Sequence, residues 1–222
     1  MANVWIAIPA YTGQIHLATM RSLLTDILAL KDAGHAYTVY DECGHALIGD
    51  CRGIIVANFL ASDADTLVFV DSDVCWEAGG LLKLVNHPVD MVAGIYRHRK
   101  DPETYPVSWL LDRDELQADP ATGLLEVEAV PAGFVKMSRK MLERMTGQYT
   151  DTEFLAEQAP DSKAWALFDP YRVGKHKMGE DYAFCRRWKD IGGKVWIDPE
   201  IRMGHIGYKT FDGHLGDWLR NR

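Results

Sequence analysis

Thr66-Leu67-Val68-Phe69-Val70-Asp71-Ser72-Asp73 places five β-favouring residues directly before two carboxylates separated by one small residue. An uninterrupted apolar run of this length is the pattern of a strand buried on both faces, as in a parallel sheet covered by helices. Both carboxylates then emerge at the carboxyl end of that strand, the edge at which open α/β sheets place ligands. Asp71 and Asp73 can offer hard oxygen ligands to Mg2+ or Mn2+ while leaving positions open for phosphate oxygens. Taken alone, the triplet also fits a turn in which the aspartates bond to nearby amides.

The sequence on either side supports the α/β pattern. Asn3 to Pro9 (NVWIAIP) predicts a buried first strand, and Gln14 to Ala33 carries Ile15, Ala18, Leu23, Leu24, Ile27 and Leu30 at helical spacing before Gly34 stops it. Ala36 to Asp41 predicts a second strand, Asp50 to Ala61 a second helix, Ala78 to Val85 a third helix and Met91 to Tyr96 a further strand. The implied class is a Rossmann-like, mostly parallel central sheet flanked by helices. Beyond residue 100 the pattern changes to a smaller, mixed or antiparallel portion. Val107 to Leu111 and Leu124 to Val130 read as strands separated by the turn-rich Asp119-Pro120-Ala121-Thr122-Gly123. Ser138 can cap a helix to about Met145, residues 147–177 read as a long functional loop or lid, and Glu180 to Ile191 as a helix ended by Gly192-Gly193. Lys194 to Asp198 is a closing strand.

With 222 residues, 47% of them hydrophobic, the chain can bury a full core and its length fits one domain spanning 1–222. The apolar start, Val4 to Ala10, is too short to span a bilayer and lacks a basic leader, so no stable membrane insertion is expected. Four cysteines without CxxC spacing point to a reducing compartment, hence to a cytoplasmic protein. A net charge of −8 disfavours sequence-independent clamping of a phosphate backbone, although a nucleic-acid acceptor is not excluded. Arg97-His98-Arg99-Lys100 is one short cationic stretch that could meet an anionic acceptor; such runs are usually solvated loops.

A buried strand leading into an acidic pair, after an α/β half of this length, resembles the A-type (GT-A fold) nucleotide-sugar glycosyltransferases, family 2-like, with their Asp-x-Asp motif. The resemblance implies a metal-dependent enzyme that moves a sugar from a nucleoside-diphosphate sugar to an acceptor hydroxyl. A UDP-sugar is favoured and a GDP-sugar possible, with Mn2+ or Mg2+ as cofactor. It makes residues 1–100 the donor-binding half and residues 101–222 the acceptor-binding and catalytic half. Asp73 becomes the expected direct metal ligand, Asp71 a ribose or water-mediated metal contact, and Ser72 the small spacer on the donor side. Pro9 and Tyr11 resemble the loop that holds the base, with Tyr11 able to stack on it. Arg52, within Leu47 to Leu60, matches an arginine that faces the donor.

Gly179-Glu180-Asp181 opens a helix, where carboxylates are favoured by the exposed amides alone. Inverting members place their catalytic base here, so Asp181 is the expected base and Glu180 the second choice. A base is needed because a sugar hydroxyl is a weak nucleophile until a carboxylate accepts its proton. His205, flanked by Gly204 and Gly207, matches the late histidine that joins the metal site, and Lys209 is placed to neutralise the diphosphate. Gly133 matches a small-residue turn that gives donor sugar and acceptor clearance. Two alternatives remain: a retaining enzyme of the same fold, and an inactive sugar-nucleotide-binding module. A nucleotidyltransferase would call for a glycine-rich basic loop where Tyr11-Thr12-Gly13-Gln14 stands. A two-metal phosphodiesterase would call for a larger carboxylate and histidine cluster.

Overall fold

A computed structural model describes residues 1–112 and 115–221. The chain begins with β1 (Asn3–Ala10), α1 (Leu17–Asp32), β2 (Ala36–Cys43), α2 (Ile48–Ala61) and β3 (Thr66–Val70). It continues through β4 (Val74–Trp76), α3 (Gly80–Asn86), β5 (Met91–Gly94), β6 (Leu125–Val127), β7 (Phe134–Ser138) and α4 (Arg139–Gln148). Two small hairpins follow, β8 (Glu153–Leu155) with β9 (Lys163–Trp165) and β10 (Arg172–Val173) with β11 (His176–Lys177), with a 3-10 turn at Thr150–Thr152 before them. The chain then forms α5 (Glu180–Asp190), β12 (Val195–Asp198), β13 (Met203–Ile206), β14 (Thr210–Gly213) and α6 (Leu215–Arg220).

The central sheet has seven strands in the order β2-β1-β3-β7-β5-β12-β6. Pairing is parallel for β2-β1, β1-β3 and β5-β12, whereas β7 runs against both its neighbours and β6 against β12. Five strands therefore share one direction, and the reversed strands both come from the second half. A three-stranded antiparallel sheet, β14-β13-β4, stands beside the carboxyl end of β3. The α/β class with a mixed second half is thus the architecture found.

Strand β3 shows why the core forms as it does. Its side chains alternate across the sheet. Val68 and Val70 pack with Leu23 and Leu30 of α1 and Leu81 and Leu84 of α3. Leu67 and Phe69 face the other side, with Ile55 and Phe59 of α2, Met141 and Met145 of α4, and Phe184 and Trp188 of α5. By the same period Asp71 belongs to the α2 side.

Two polar devices fix the helices. Arg139, the first residue of α4, donates to the carbonyls of Phe59, Leu60, Ser62 and Ala64, so a cation meets the exposed carbonyls where α2 ends. Asp26, buried within α1, accepts from Trp76 Nε1 at 2.9 Å and from the amides of Gly79 and Leu81 at 2.7 Å each, joining α1 to the start of α3.

Several elements differ from the sequence expectation. Val107 to Leu111 forms no strand; Ser108 makes only an isolated bridge to Ala129, so that segment borders the sheet without entering it. The strand expected over Leu124 to Val130 is confined to β6, and the strand expected to reach Tyr96 ends at Gly94. Residues 147–177 are not one free lid. Their β8-β9 hairpin covers α2, Ala164, Leu167 and Phe168 are fully buried, and a Cβ on Gly53 would lie 2.6 Å from the Trp165 carbonyl oxygen. This packing explains why α2 is apolar on nearly every face. Among the described residues no helix is long and apolar enough to cross a membrane.

Replacing Asp26 with alanine leaves three buried donors without their acceptor. Chemical denaturation should show a loss of about 3 kcal/mol or more, at 1–3 kcal/mol per orphaned buried group with partial relaxation. Asp26→Asn, which keeps one acceptor oxygen, should lose less.

Candidate functional site

The backbone at the end of β3 brings the acidic triplet to a junction of four elements. The Asp71 amide donates to the Gly133 carbonyl at 2.8 Å, just before β7 begins. The Ser72 carbonyl accepts from the His16 amide at 2.9 Å and from Thr19 Oγ1 at 3.2 Å, which ties the spacer to the start of α1. The Asp73 carbonyl accepts from the Ile206 amide at 2.8 Å, which holds β13 against the triplet.

Arg52 stands at the centre. It projects from α2, is 2% exposed, and its guanidinium lies 5.8 Å from the Phe69 ring centre and 5.6 Å from that of Phe168. Its Nη2 donates to Asp71 Oδ1 at 3.2 Å and its Nη1 to Asp181 Oδ1, with Glu180 Oε1 at 3.8 Å from Nη1. Asp71 and Asp181, 110 positions apart, therefore share one buried cation. Sequence resemblance assigns Arg52 to the donor; the fold uses its guanidinium to hold the two carboxylates and the start of α5.

Burial pushes the Asp181 carboxyl up to about 6, opposed by the Arg52 charge and assisted by Glu180 and Asp71. Burial also raises Asp71, against the pull of Arg52. The result is a carboxylate at Asp181 whose proton affinity lies close to neutral pH, the range in which a side chain can both take and release a proton.

Asp73 and His205 form the second half of the cluster. His205 Nε2 lies 3.9 Å from Asp73 Oδ1, and His205 Nδ1 is 3.0 Å from the Arg97 carbonyl. A carbonyl can only accept, so Nδ1 carries the proton and Nε2 presents its lone pair towards Asp73. Burial lowers the His205 proton affinity, against the raising pull of the Arg97 carbonyl and of Asp73. The Tyr96 ring packs edge-on against His205 at 4.7 Å. A carboxylate oxygen and an imidazole nitrogen so arranged fit a divalent cation such as Mn2+ or Mg2+ that keeps further positions for phosphate or water. Among the described residues no group of three or more His, Cys, Asp or Glu side chains is gathered as a ready-made metal site. Asp71 is turned to Arg52, and Arg99 pairs with Asp73 Oδ2.

Gly133 closes the floor of the cluster. A Cβ there would collide with Tyr96 Oη and lie 2.5 Å from Asp71 Oδ2, so only glycine leaves both groups in place. Tyr96 and Arg99 are the contributors that sequence reasoning missed. Arg99 belongs to the short cationic stretch whose pattern fits a solvated loop or a contact with an anionic acceptor, and Tyr96 to the expected end of a strand.

The remaining expected donor residues are less concentrated. Pro9 pairs within β1 opposite Glu42 of β2, and Tyr11, 67% exposed, follows at the strand end, where its carbonyl accepts from Gly44 at 3.1 Å. Lys209 donates to Asp101 at 3.0 Å and bonds to no member of the acidic cluster.

The fold is shared with A197 from STIV. That crystal structure is 20% identical, with a TM-score of 0.57 over 93% of this chain and 86% of the other. GalNAc-T7, crystallised with UDP, GalNAc and Mn2+, matches at 12% identity and a TM-score of 0.49, covering 93% of this chain and 44% of that protein. No family model matches the sequence, and no curated protein does so.

Gly133 and a glycine outside the site, Gly147, should respond oppositely to alanine. Gly133→Ala should cost about 1–3 kcal/mol in denaturant unfolding through overpacking. Gly147→Ala, inside α4 with nothing within 4 Å of the added methyl, should leave stability unchanged or raise it by about 0.5–1 kcal/mol.

Proposed function

We propose that the chain is an A-type glycosyltransferase that moves a sugar from a nucleoside-diphosphate sugar to an acceptor hydroxyl with inversion. The observation that carries this reading is the meeting of Asp71, Asp73, His205 and Asp181 beside one buried arginine at the carboxyl end of β3. Ligands of open α/β sheets bind at this edge, and the four groups divide into a metal-competent pair, Asp73 with His205, and two carboxylates held by Arg52, of which Asp181 is the proton acceptor.

Asp73 and His205 would hold Mn2+ or Mg2+, with Asp71 nearby as a ribose or water-mediated contact. The metal when bound supplies Lewis-acid stabilisation to the departing diphosphate. Tyr11 stacks on the base, with Pro9 setting the loop and Ser72 lying beneath the donor. UDP is the favoured nucleotide and GDP the second. Gly133 leaves room for the donor sugar.

Asp181 is the catalytic base. Its carboxylate accepts the acceptor-hydroxyl proton as the oxygen bonds to the anomeric carbon and the bond to the diphosphate oxygen breaks. Arg52 positions that carboxylate through Oδ1, and a backbone hydrogen bond from Ala132 helps to hold it. Glu180 lies on the same helix start, 3.8 Å from Arg52, and adds negative charge without being held as closely. The four free thiols fit a reducing, cytoplasmic setting.

Thermal-shift measurements with UDP and GDP, each with and without Mn2+, test the donor assignment; no stabilisation by either nucleotide overturns it. Asp73→Ala should abolish both turnover and metal-dependent nucleotide binding. Asp181→Asn should abolish turnover by a factor of about 100 or more while nucleotide binding persists, at the size usual for loss of a general base. Full activity in Asp181→Asn removes the base assignment.

The pH profile follows from the Asp181 proton affinity. A base works only when unprotonated, so kcat/KM should be level above the raised value of about 6 and fall tenfold per pH unit below it. A profile that stays flat to pH 4.5 would be incompatible with this role.

A further inference from the structure

The cationic stretch Arg97 to Lys100 leaves β5 and crosses the acidic cluster in an unequal way. Arg97 is an anchor: it is nearly buried, its Nη2 donates to the Lys100 carbonyl at 2.6 Å and to Asp101 Oδ1 at 2.9 Å, and its Nη1 reaches the Asp212 carbonyl at 3.4 Å. Its own carbonyl takes the His205 Nδ1 bond. Lys209 adds a second clasp through Asp101. The base of the loop is thereby fixed to the β13-β14 hairpin.

Arg99 is the exposed tip of this fixed loop. Its side chain is 42% exposed, its stem passes over Gly207, where an added Cβ would lie 3.1 Å from Arg99 Cδ, and its guanidinium pairs with Asp73 Oδ2. The opposite oxygen of the same carboxylate faces His205 Nε2 at 3.9 Å. A guanidinium therefore rests on a carboxylate whose other side is arranged for a metal.

We propose that Arg99 is a donor-binding residue that exchanges partners: the Asp73 carboxylate in the donor-free protein, and the diphosphate of the donor once a divalent cation takes Asp73. This rests on the nucleotide-sugar reading of the cluster. A divalent cation and a guanidinium repel each other on one carboxylate, and a half-exposed ion pair is weak enough to give way. Once displaced, Arg99 remains tethered by Arg97 within reach of the anion that arrives with the metal. Its planar fork matches paired phosphate oxygens better than an ammonium does. Asp73 is thereby kept neutralised before the donor binds.

Titration with Mn2+ alone, followed by electron paramagnetic resonance, separates this exchange from nucleotide binding. Arg99→Ala should bind Mn2+ about fivefold more tightly than the parent protein, the size of a half-exposed ion pair. Lys100→Ala removes the same charge from the same loop and should change the affinity by less than about twofold, because exposed charges are screened. With Mn2+ saturating, calorimetry with UDP and with GDP should show Arg99→Ala weakened about tenfold for whichever nucleotide the parent protein binds. Arg99→Lys should recover part of that loss.

Unchanged Mn2+ affinity in Arg99→Ala, an equal gain in Lys100→Ala, or no Mn2+ binding by any of the proteins overturns the exchange. If the proteins bind Mn2+ but neither UDP nor GDP binds to the Mn2+-saturated protein, the glycosyltransferase reading and the diphosphate partner fall together, while the competition for Asp73 is still decided by the metal titration.

Discussion

The buried guanidinium of Arg52 is the constraint on which the rest of the site depends. Burial works against its charge, and Asp181, Asp71 and Glu180 more than offset that cost. Two of these carboxylates come from the ends of elements far apart in sequence: Asp71 from β3 and Asp181 from the start of α5. Without the shared cation both would be carboxylates in a desolvated cleft, each raising the other's proton affinity. With it, Asp71 and Asp181 acquire a fixed separation and orientation from one rigid, planar group.

Arg52 is held there by the packing of α2. The helix lies between the sheet and the β8-β9 cover, and its glycines permit the close approach: Gly49 sits against the Phe168 backbone and Gly53 against the Trp165 carbonyl. Phe69 and Phe168 stand beside the guanidinium, and Phe168 stacks on Phe184 of α5 at 4.2 Å with the rings 10° from parallel. The same stack that fills the core thus links the helix carrying Arg52 to the helix carrying Asp181. A structural cover and a chemical site share one set of contacts.

On the other side of the triplet, the small β14-β13-β4 sheet performs the corresponding task for Asp73. β4 follows Asp73 after no intervening loop, and β13 pairs with it so that His205 lies opposite Val74. Alternation along β13 directs His205 to the cleft while Gly204 faces Cys75 and Asp212 on the opposite side. Arg97, bonded to the loop and to β14, then sets both the histidine tautomer and the place of Arg99.

Sequence alone determined the parts of this protein that depend on local order. The apolar run Thr66 to Val70 required a buried strand, its end exposed Asp71 and Asp73 at the ligand edge, and the periodicity before it required helices on both sides. Gly179-Glu180-Asp181 was likewise legible as a helix start. Short strands were not: Val74–Trp76, Met203–Ile206 and Thr210–Gly213 carry too few residues for a period to emerge, and exist because they pair with one another. Tertiary structure alone decided that Arg52 lies between Asp71 and Asp181, that Gly133 faces Tyr96, that Arg99 reaches Asp73, and that part of the expected lid packs into the core. The physical reason is that these are pairings of charge, volume and hydrogen-bonding capacity across long sequence separations. A residue's chemistry states what it needs, and only the packed chain states which neighbour supplies it.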